Sequence, residues 1–392
     1  MNNILFRTEI YFESINKYGE ELCGDKVEVI KTPEKTIFVM ADGLGSGVKA
    51  NILATLTTKI AATMLKEGAS VEETVKTIIA TLPVCKVRKI AYSTFTIIEI
   101  SSNGKCSIIE YDNPPVFFLR EGRVQKIPVN FLEIEGKILK ESFLELKKED
   151  LLVVVSDGIV HAGIGGILNL GWQWENIADY LEKVIKNETK PAEIVKLLIT
   201  ITNNFYLDKA GDDATCAAIK VVAPNRLTVI AGPPANPEDD LKAVKCFMEN
   251  KGKKVVCGGT TAQIVAKILN KQLVTSTEFI DPQVPPAAHI DGIDLVTEGV
   301  LTLAKTLEKL NNIAEGKIQL KELIHHKKMD AATRLALMLY EATDITFIIG
   351  SAVNPAHQNP DFPKNLSIKQ NVIGSIINIL KKMGKFVDVK NF

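Results

Sequence analysis

VMADGLGSGVKA, residues 39–50, carries an apolar run through a glycine-rich turn into a helical pattern, and the turn opens with a carboxylate, Asp42. Glycine turns at a strand-to-helix junction commonly cradle phosphate with backbone N–H groups. Two such loops fail here on spacing. Counting from Gly43, both the G-x-x-x-x-G-K-[ST] loop and the G-x-G-x-x-G fingerprint need glycine at position 48, which is Val48. Asp42 would also repel a phosphate. Two readings stay open: a plain turn, or a carboxylate that holds a divalent cation, which in turn meets the anion.

A cation site calls for further carboxylates at strand ends. LLVVVSDG (151–158) repeats the form of TIFVMADG, with Asp157 and Gly158 after an apolar run. AGDDATCAAI (210–219) sets Asp212 and Asp213 just ahead of a strand, and CGDKVEVI (23–30) sets Asp25 ahead of another. No histidine stands among these groups, and all-oxygen ligation suits Mg²⁺ or Mn²⁺ better than zinc. One Asp-Gly at a strand end is ordinary turn chemistry. Four strand ends with acidic groups in one segment carry more weight.

The remainder of the chain sets the frame. Its 392 residues are enough for two domains, and 46% hydrophobic with 24% charged residues describes a globular chain. Lys plus Arg equals Asp plus Glu at 47 each, so charge gives no support for nucleic acid or an anionic membrane as partner. No apolar run approaches the ~18 residues of a spanning helix. MNNILFRTEIYF has no basic segment followed by an apolar one, and the six cysteines form no C-x-x-C pair, so a cytoplasmic protein with reduced thiols is expected.

Residues 1–222 are dense in β-prone runs, among them KVEVIK, TIFVMA, STFTIIEI, PVFFLR and ATCAAIKVV. Helical patterns interrupt them near 48–67, with Ile52, Leu53, Leu56, Ile60 and Met64 on one face, and near 191–204. This is the pattern of an α+β domain with packed antiparallel sheets. After VVAPN (221–225) short strands alternate with helices, each strand followed closely by glycine. That rhythm predicts a smaller α/β domain over 225–392 with a mostly parallel sheet.

Taken in order, G-D at 24–25, A-D-G-x-G at 41–45, S-D-G at 156–158 and G-D-D-A-T at 211–215 resemble the metal-dependent type 2C serine/threonine protein phosphatases, in their bacterial SpoIIE-like branch. EYDNPPVFFLREGR (110–123) is similar to a further hairpin segment of that family. The resemblance covers about residues 5–222. It implies a β-sandwich flanked by helices and two Mn²⁺ or Mg²⁺ ions. Asp42 would bridge them, Gly43 would offer its carbonyl, Asp157 and Asp212 would complete one ion, and Asp25 would hold the other. Asp42, Asp157 and Asp212 are therefore the expected catalytic group. Two such ions lower the pKa of a water between them and neutralise phosphoryl charge.

The chain departs from the family at Leu44, where many members carry histidine, so no side chain is assigned to protonate the leaving group. Arg7 is available as a phosphate clamp, against a plain surface arginine. His161 is available near the substrate, against a packing role. Asp213 ranks below Asp212, as an orienting group. Trp172 and Trp174 read first as packing and second as a substrate flap.

In the second domain, strand ends carry GPPANP, CGGTTA, VTEG and GSAVNPAHQNP. Ligands of open parallel sheets bind at such ends. Gly258, Gly259, Thr260 and Thr261 form a candidate anion cradle, with Glu298, Asn354 and His357 as polar readers; tight turns without a ligand are the alternative. The expected function is a phosphoprotein phosphatase in bacterial signalling. Its substrate, by resemblance, is a small anti-sigma-antagonist-like protein, and its partners include a small-molecule effector on the second domain and a second copy of the chain. Two other functions remain open: a catalytically weak ligand-responsive signalling protein, and a phosphatase acting on a small phosphorylated metabolite.

Overall fold

The computed structural model describes residues 6–81, 93–186, 188–314, 329–352 and 368–392. The chain divides into two compact units, Met1–Ala223 and Pro224–Phe392.

The amino-terminal unit runs β1 (Arg7–Ile15), β2 (Asp25–Lys31), β3 (Lys35–Gly43), α1 (Gly47–Lys66), α2 (Val71–Thr81), β4 (Ser93–Ser101), β5 (Lys105–Tyr111), β6 (Phe117–Arg120), β7 (Arg123–Gln125), β8 (Asn130–Ile134), β9 (Lys137–Glu145), β10 (Leu151–Val155), α3 (Asp157–Val160), α4 (Trp174–Val184), α5 (Pro191–Phe205) and β11 (Ala214–Val222). Two antiparallel sheets form, β1-β11-β10-β6-β7 and β2-β3-β4-β5-β9-β8. Strand β10, residues 37–41 of β3 and residues 216–219 of β11 are apolar without a break because both their faces are covered. Phe38 and Met40 of β3 meet Leu152, Val154, Ala217 and Ile219 between the sheets. Alternate residues Ile37, Val39 and Ala41 face Ala54, Ala61 and Ala62 of α1. On the other side Val153, Val155, Cys216 and Ala218 pack with Ile177, Leu181 and Val195 of α4 and α5. The result is a helix–sheet–sheet–helix sandwich, an α+β architecture.

Helix α1 overturns one expectation. Its buried face is Ala50, Ala54, Thr57, Thr58, Ala61, Ala62 and Leu65. Ile52 and Leu56, expected on the core face, are 52% and 42% exposed. The reason is distance. A Cβ on Gly43 would lie 2.0 Å from the carbonyl oxygen of Ala50, so the helix lies on β3 too closely for large side chains.

The amphipathic strands were harder to read. Polar-rich β1 pairs along its whole length with β11. The β6–β7 and β8–β9 hairpins turn on Glu121-Gly122 and Glu135-Gly136, all four at positive φ, the conformation of a two-residue hairpin turn.

The second unit contains β12 (Arg226–Ala231), α6 (Asp240–Glu249), β13 (Lys253–Cys257), α7 (Gly259–Leu269), β14 (Leu273–Thr275), β15 (Ala288–Ile290), β16 (Leu295–Thr297), α8 (Val300–Ala314), α9 (Ala331–Glu341), β17 (Asp344–Ile349), α10 (Ile368–Lys382) and β18 (Phe386–Asn391). Its sheet is ordered β14-β15-β16-β13-β12-β17-β18. β16, β13, β12, β17 and β18 are parallel; β14 and β15 add an antiparallel edge. Helices α6 and α7 cover one face and α8, α9 and α10 the other. The chain builds outward from β12 in one direction and then returns to build in the other. The switch point falls between β12 and β17, where open α/β sheets bind ligands.

Candidate active site

Asp25 and Asp42 lie directly opposite each other on β2 and β3, and Asp42 also faces Thr94 of β4. Opposed residues share a sheet face with Cβ atoms ~4.5–5.5 Å apart. The other sheet supplies the remaining acids. Asp157 opens α3 directly after β10, and Asp212 and Asp213 precede β11. These two turns are laced together. Ser156 N–H donates to Thr215 O at 2.9 Å, and Thr215 N–H donates to Ser156 Oγ at 2.8 Å.

Glycines let these turns approach one another, Gly24 across the two sheets and Gly158 within one. A Cβ on Gly24 would lie 2.8 Å from Asp213 Oδ2, and one on Gly158 would lie 2.1 Å from Asp213 O. At Gly43 the close approach of α1 is by itself enough to require glycine. Around the aspartates, Asp213 Oδ1 accepts from Lys17 N–H, Ser93 Oγ donates to Asp42 O, and Tyr206 Oη donates to Gly158 O.

The electrostatics are those of acids crowded together. The Asp42 carboxyl is pushed up to about 9, by burial first and then by Asp25, Asp157, Asp212 and Asp213. Asp25 is 2% exposed, and burial pushes it up to about 7. The nearby Ser156 and Thr215 hydroxyls pull Asp25 back, yet neither Asp25 oxygen has a partner at hydrogen-bond distance. Burial and Asp212 also raise Asp157.

Among the described residues, no group of three or more His, Cys, Asp or Glu side chains is arranged to hold a metal ion as it stands. The donor chemistry nevertheless fits a hard divalent cation. The orphaned oxygens of Asp25 and the mutual repulsion of the acids are what such an ion would relieve.

The structure thus gathers Asp25, Asp42, Gly43, Asp157, Asp212 and Asp213 at one end of the sandwich. It sets Arg7 apart. Arg7 pairs with Val222, whereas Ile15, at the other end of β1, pairs with Ala214 beside the acids. At ~3.3 Å per residue that is about 26 Å, so Arg7 is no phosphate clamp. Its Nη1 donates to the carbonyls of Phe6 and Pro33. His161 is exposed and close enough to draw the Asp157 carboxyl down. Trp172 is buried and meets Phe205 edge-on at 5.3 Å; Trp174 stacks on Phe117 at 4.6 Å. Both pack. Glu20, which accepts from Ser46 Oγ in the glycine turn, and Tyr206 carry no motif that marks them in sequence.

In the second unit, Gly258, Gly259, Thr260 and Thr261 form the start of α7, and Glu298 follows β16 beside them: Gly258 N–H donates to Thr297 O at 2.9 Å. Asn354 and His357 lie outside the described residues, as does Cys85; the five described cysteines are free. Among the described residues no helix is long and apolar enough to cross a membrane.

A two-sheet sandwich with helices outside and aspartates at one end is the form of a type 2C phosphatase domain. Residues 32–222, within the amino-terminal unit, match the family described as Stage II sporulation protein E (SpoIIE). The chain is 28% identical over 216 residues to Stage II sporulation protein E of Bacillus subtilis (strain 168). That similarity covers 52% of this chain and 24% of the relative, so the chain spans about a quarter of the curated protein it matches. Among solved structures, the phosphatase domain with a regulatory-domain fragment of Bacillus subtilis SpoIIE aligns at a TM-score of 0.49 and 22% identity, over 56% of this chain and 65% of that one. RsbX in complex with magnesium aligns at 0.39 and 19%, over 56% and 98%.

Proposed function

We propose that this chain is a Mn²⁺- or Mg²⁺-dependent phosphoprotein phosphatase, acting on phosphoserine or phosphothreonine in cytoplasmic bacterial signalling. The observation that carries the reading is the gathering of Asp25, Asp42, Asp157 and Asp212 from two sheets, with both oxygens of a buried Asp25 left without a partner. These four carboxylates and the Gly43 carbonyl would hold two divalent ions, which supply an activated water and neutralise phosphoryl charge.

The chain's own residues fix the site. Lys17 N–H holds Asp213, which keeps the turn of Asp212 in place. Ser156 and Thr215 tie the turn of Asp157 to the start of β11. Tyr206 holds the Gly158 carbonyl and so fixes the start of α3. The phosphoprotein substrate would be a small regulatory protein of the kind acted on in SpoIIE-like systems.

The test is hydrolysis of p-nitrophenyl phosphate and of a phosphoserine protein with and without Mn²⁺, beside equilibrium dialysis of Mn²⁺. The expected result is metal-dependent turnover, two ions bound, and loss of both on Asp25→Asn. Full turnover in excess EDTA, or undiminished Mn²⁺ binding by Asp25→Asn, would overturn the assignment.

A further inference from the structure

The carboxy-terminal unit has its own cluster of unsatisfied groups, at the ligand-binding edge of its parallel sheet. Its strands give way to glycines there: Gly232 after β12, Gly258 after β13, Gly299 shortly after β16 and Gly350 after β17. Gly232 and Gly258 sit at φ +90° and +116°, where an L side chain is strained. The turns also press on one another. A Cβ on Gly350 would lie 2.1 Å from Pro233 O, and one on Gly232 would lie 2.8 Å from Gly350 O.

Lys369 stands over these turns. A Cβ on Gly232 would lie 3.1 Å from its Nζ, and one on Gly258 would lie 3.5 Å from it. Lys369 is the second residue of α10, where a cation opposes the positive end of the helix dipole. It is also largely withdrawn from water, and burial lowers its pKa while Cys257 and Glu298 nearby raise it. Among the described residues Lys369 makes no hydrogen bond or ion pair. Beside it, Glu298 Oε2 is fully enclosed and has no donor. The helix start adds donors. The first intrahelical bond of α7 runs from Ala262 N–H to Gly258 O, which leaves the N–H groups of Gly259 and Thr260 directed outward from an exposed turn. Glu298 offsets part of the cost of holding this ammonium out of water, but among the described residues neither Lys369 Nζ nor the enclosed Glu298 oxygen has a hydrogen-bond partner.

We propose that the carboxy-terminal unit binds a phosphate ester at this edge. Lys369 Nζ and the N–H groups of Gly259 and Thr260 hold its phosphoryl oxygens, and a hydroxyl or amino group of the same molecule donates to the accessible side of the half-buried Glu298 carboxylate. A phosphoryl group has enough oxygens to meet an ammonium and two N–H groups together, and helix starts favour it. The Glu298 carboxylate beside the ammonium repels a bare anion and accepts a donor, which selects an ester with a polar body.

The test uses the full chain in excess EDTA, with inorganic phosphate and AMP as probes, read by isothermal titration and by amide hydrogen exchange at 259–261. Phosphate should bind with a dissociation constant of about 1 mM or below, and AMP about ten-fold more tightly. Exchange at 259–261 should slow with either probe. Lys369→Met should weaken both probes about ten-fold. Gly259→Asp should do the same without repacking, because a Cβ at Gly259 meets nothing within 4 Å. Glu298→Gln should weaken AMP and spare phosphate. Absence of binding by both probes at about 10 mM would overturn the site. Unchanged affinity in Lys369→Met and Gly259→Asp, with wild-type melting, would do so too. AMP binding no tighter than phosphate would overturn the ester assignment.

Discussion

Asp42→Asn should stabilise the metal-free protein, and the gain should grow with pH. Burial, then Asp25, Asp157, Asp212 and Asp213, push the Asp42 carboxyl up to about 9. In the unfolded chain an aspartate titrates near 3.9, roughly. A raised folded pKa means that the folded protein holds this proton more tightly. Its contribution to stability is fully present below the unfolded pKa and is lost as pH rises through the folded one. At about pH 7 the unfolded carboxyl has ionised and the folded one has not, over about 3 pH units, or roughly 4 kcal/mol. Asp25 shares the repulsion, so part of that strain belongs to the pair and persists in the variant; about half, ~2 kcal/mol, should be recovered. At about pH 5 the same reasoning leaves under ~1 kcal/mol. For a unit of this size each kcal/mol moves the melting temperature by about 2–4 °C. The variant should therefore melt ~4–8 °C above wild type at pH ~7 in EDTA, and ~1–3 °C above it at pH ~5. Differential scanning calorimetry across that range is the assay. Added Mn²⁺ should then stabilise wild type and not the variant, because only a bound ion shifts folding. A variant that melts at or below wild type at pH ~7, or a gain that does not grow from pH ~5, refutes the reasoning.

Two further substitutions separate packing from chemistry. Gly43→Ala puts a Cβ 2.0 Å from Ala50 O, so α1 must shift; a loss of about 1–3 kcal/mol is expected in thermal melts, and an unchanged melting temperature would contradict that contact. Asp212→Asn should abolish Mn²⁺-dependent turnover, whereas Asp213→Asn, whose amide oxygen still accepts from Lys17 N–H, should keep a measurable rate in the same assay; equal losses would remove the distinction between them.

Legibility in the sequence followed how many faces of an element are covered. Strands β3, β10 and β11 are covered on both, so each carries an unbroken apolar run at its centre and is legible as a strand. Strand β1 lies at the edge of its sheet and reads Arg-Thr-Glu-Ile-Tyr-Phe-Glu-Ser-Ile, a mixed run whose partner, β11, lies at the other end of the domain. Nothing local announces that pairing. Helix α1 misled in the opposite sense. Its periodic large residues invite a core face, but the core face is the one with alanines, because proximity to β3 rewards small side chains there. Periodicity reports that a helix is amphipathic; it does not say which stripe the sheet can accept.

The two sites differ for a related reason. In the amino-terminal unit the charges are part of the turns that shape the site. Asp25, Asp42, Asp157 and Asp212 each sit within two residues of a strand end, so motif and chemistry coincide. Only their encounter across two sheets needed the fold. In the carboxy-terminal unit the same device, an apolar strand followed by glycine, carries no charge of its own beyond Glu298. The residue that gives the edge its sign is Lys369, on a helix far from β12 and β13 in the chain, and it reaches their turns only because α10 starts at the same edge of the sheet. A glycine turn is therefore neutral evidence. It shows that backbone approaches something closely, and the charge brought to it decides whether that something is a cation or an anion. On that criterion the acids around Asp42 and the ammonium over Gly232 and Gly258 define two sites of opposite preference in one chain.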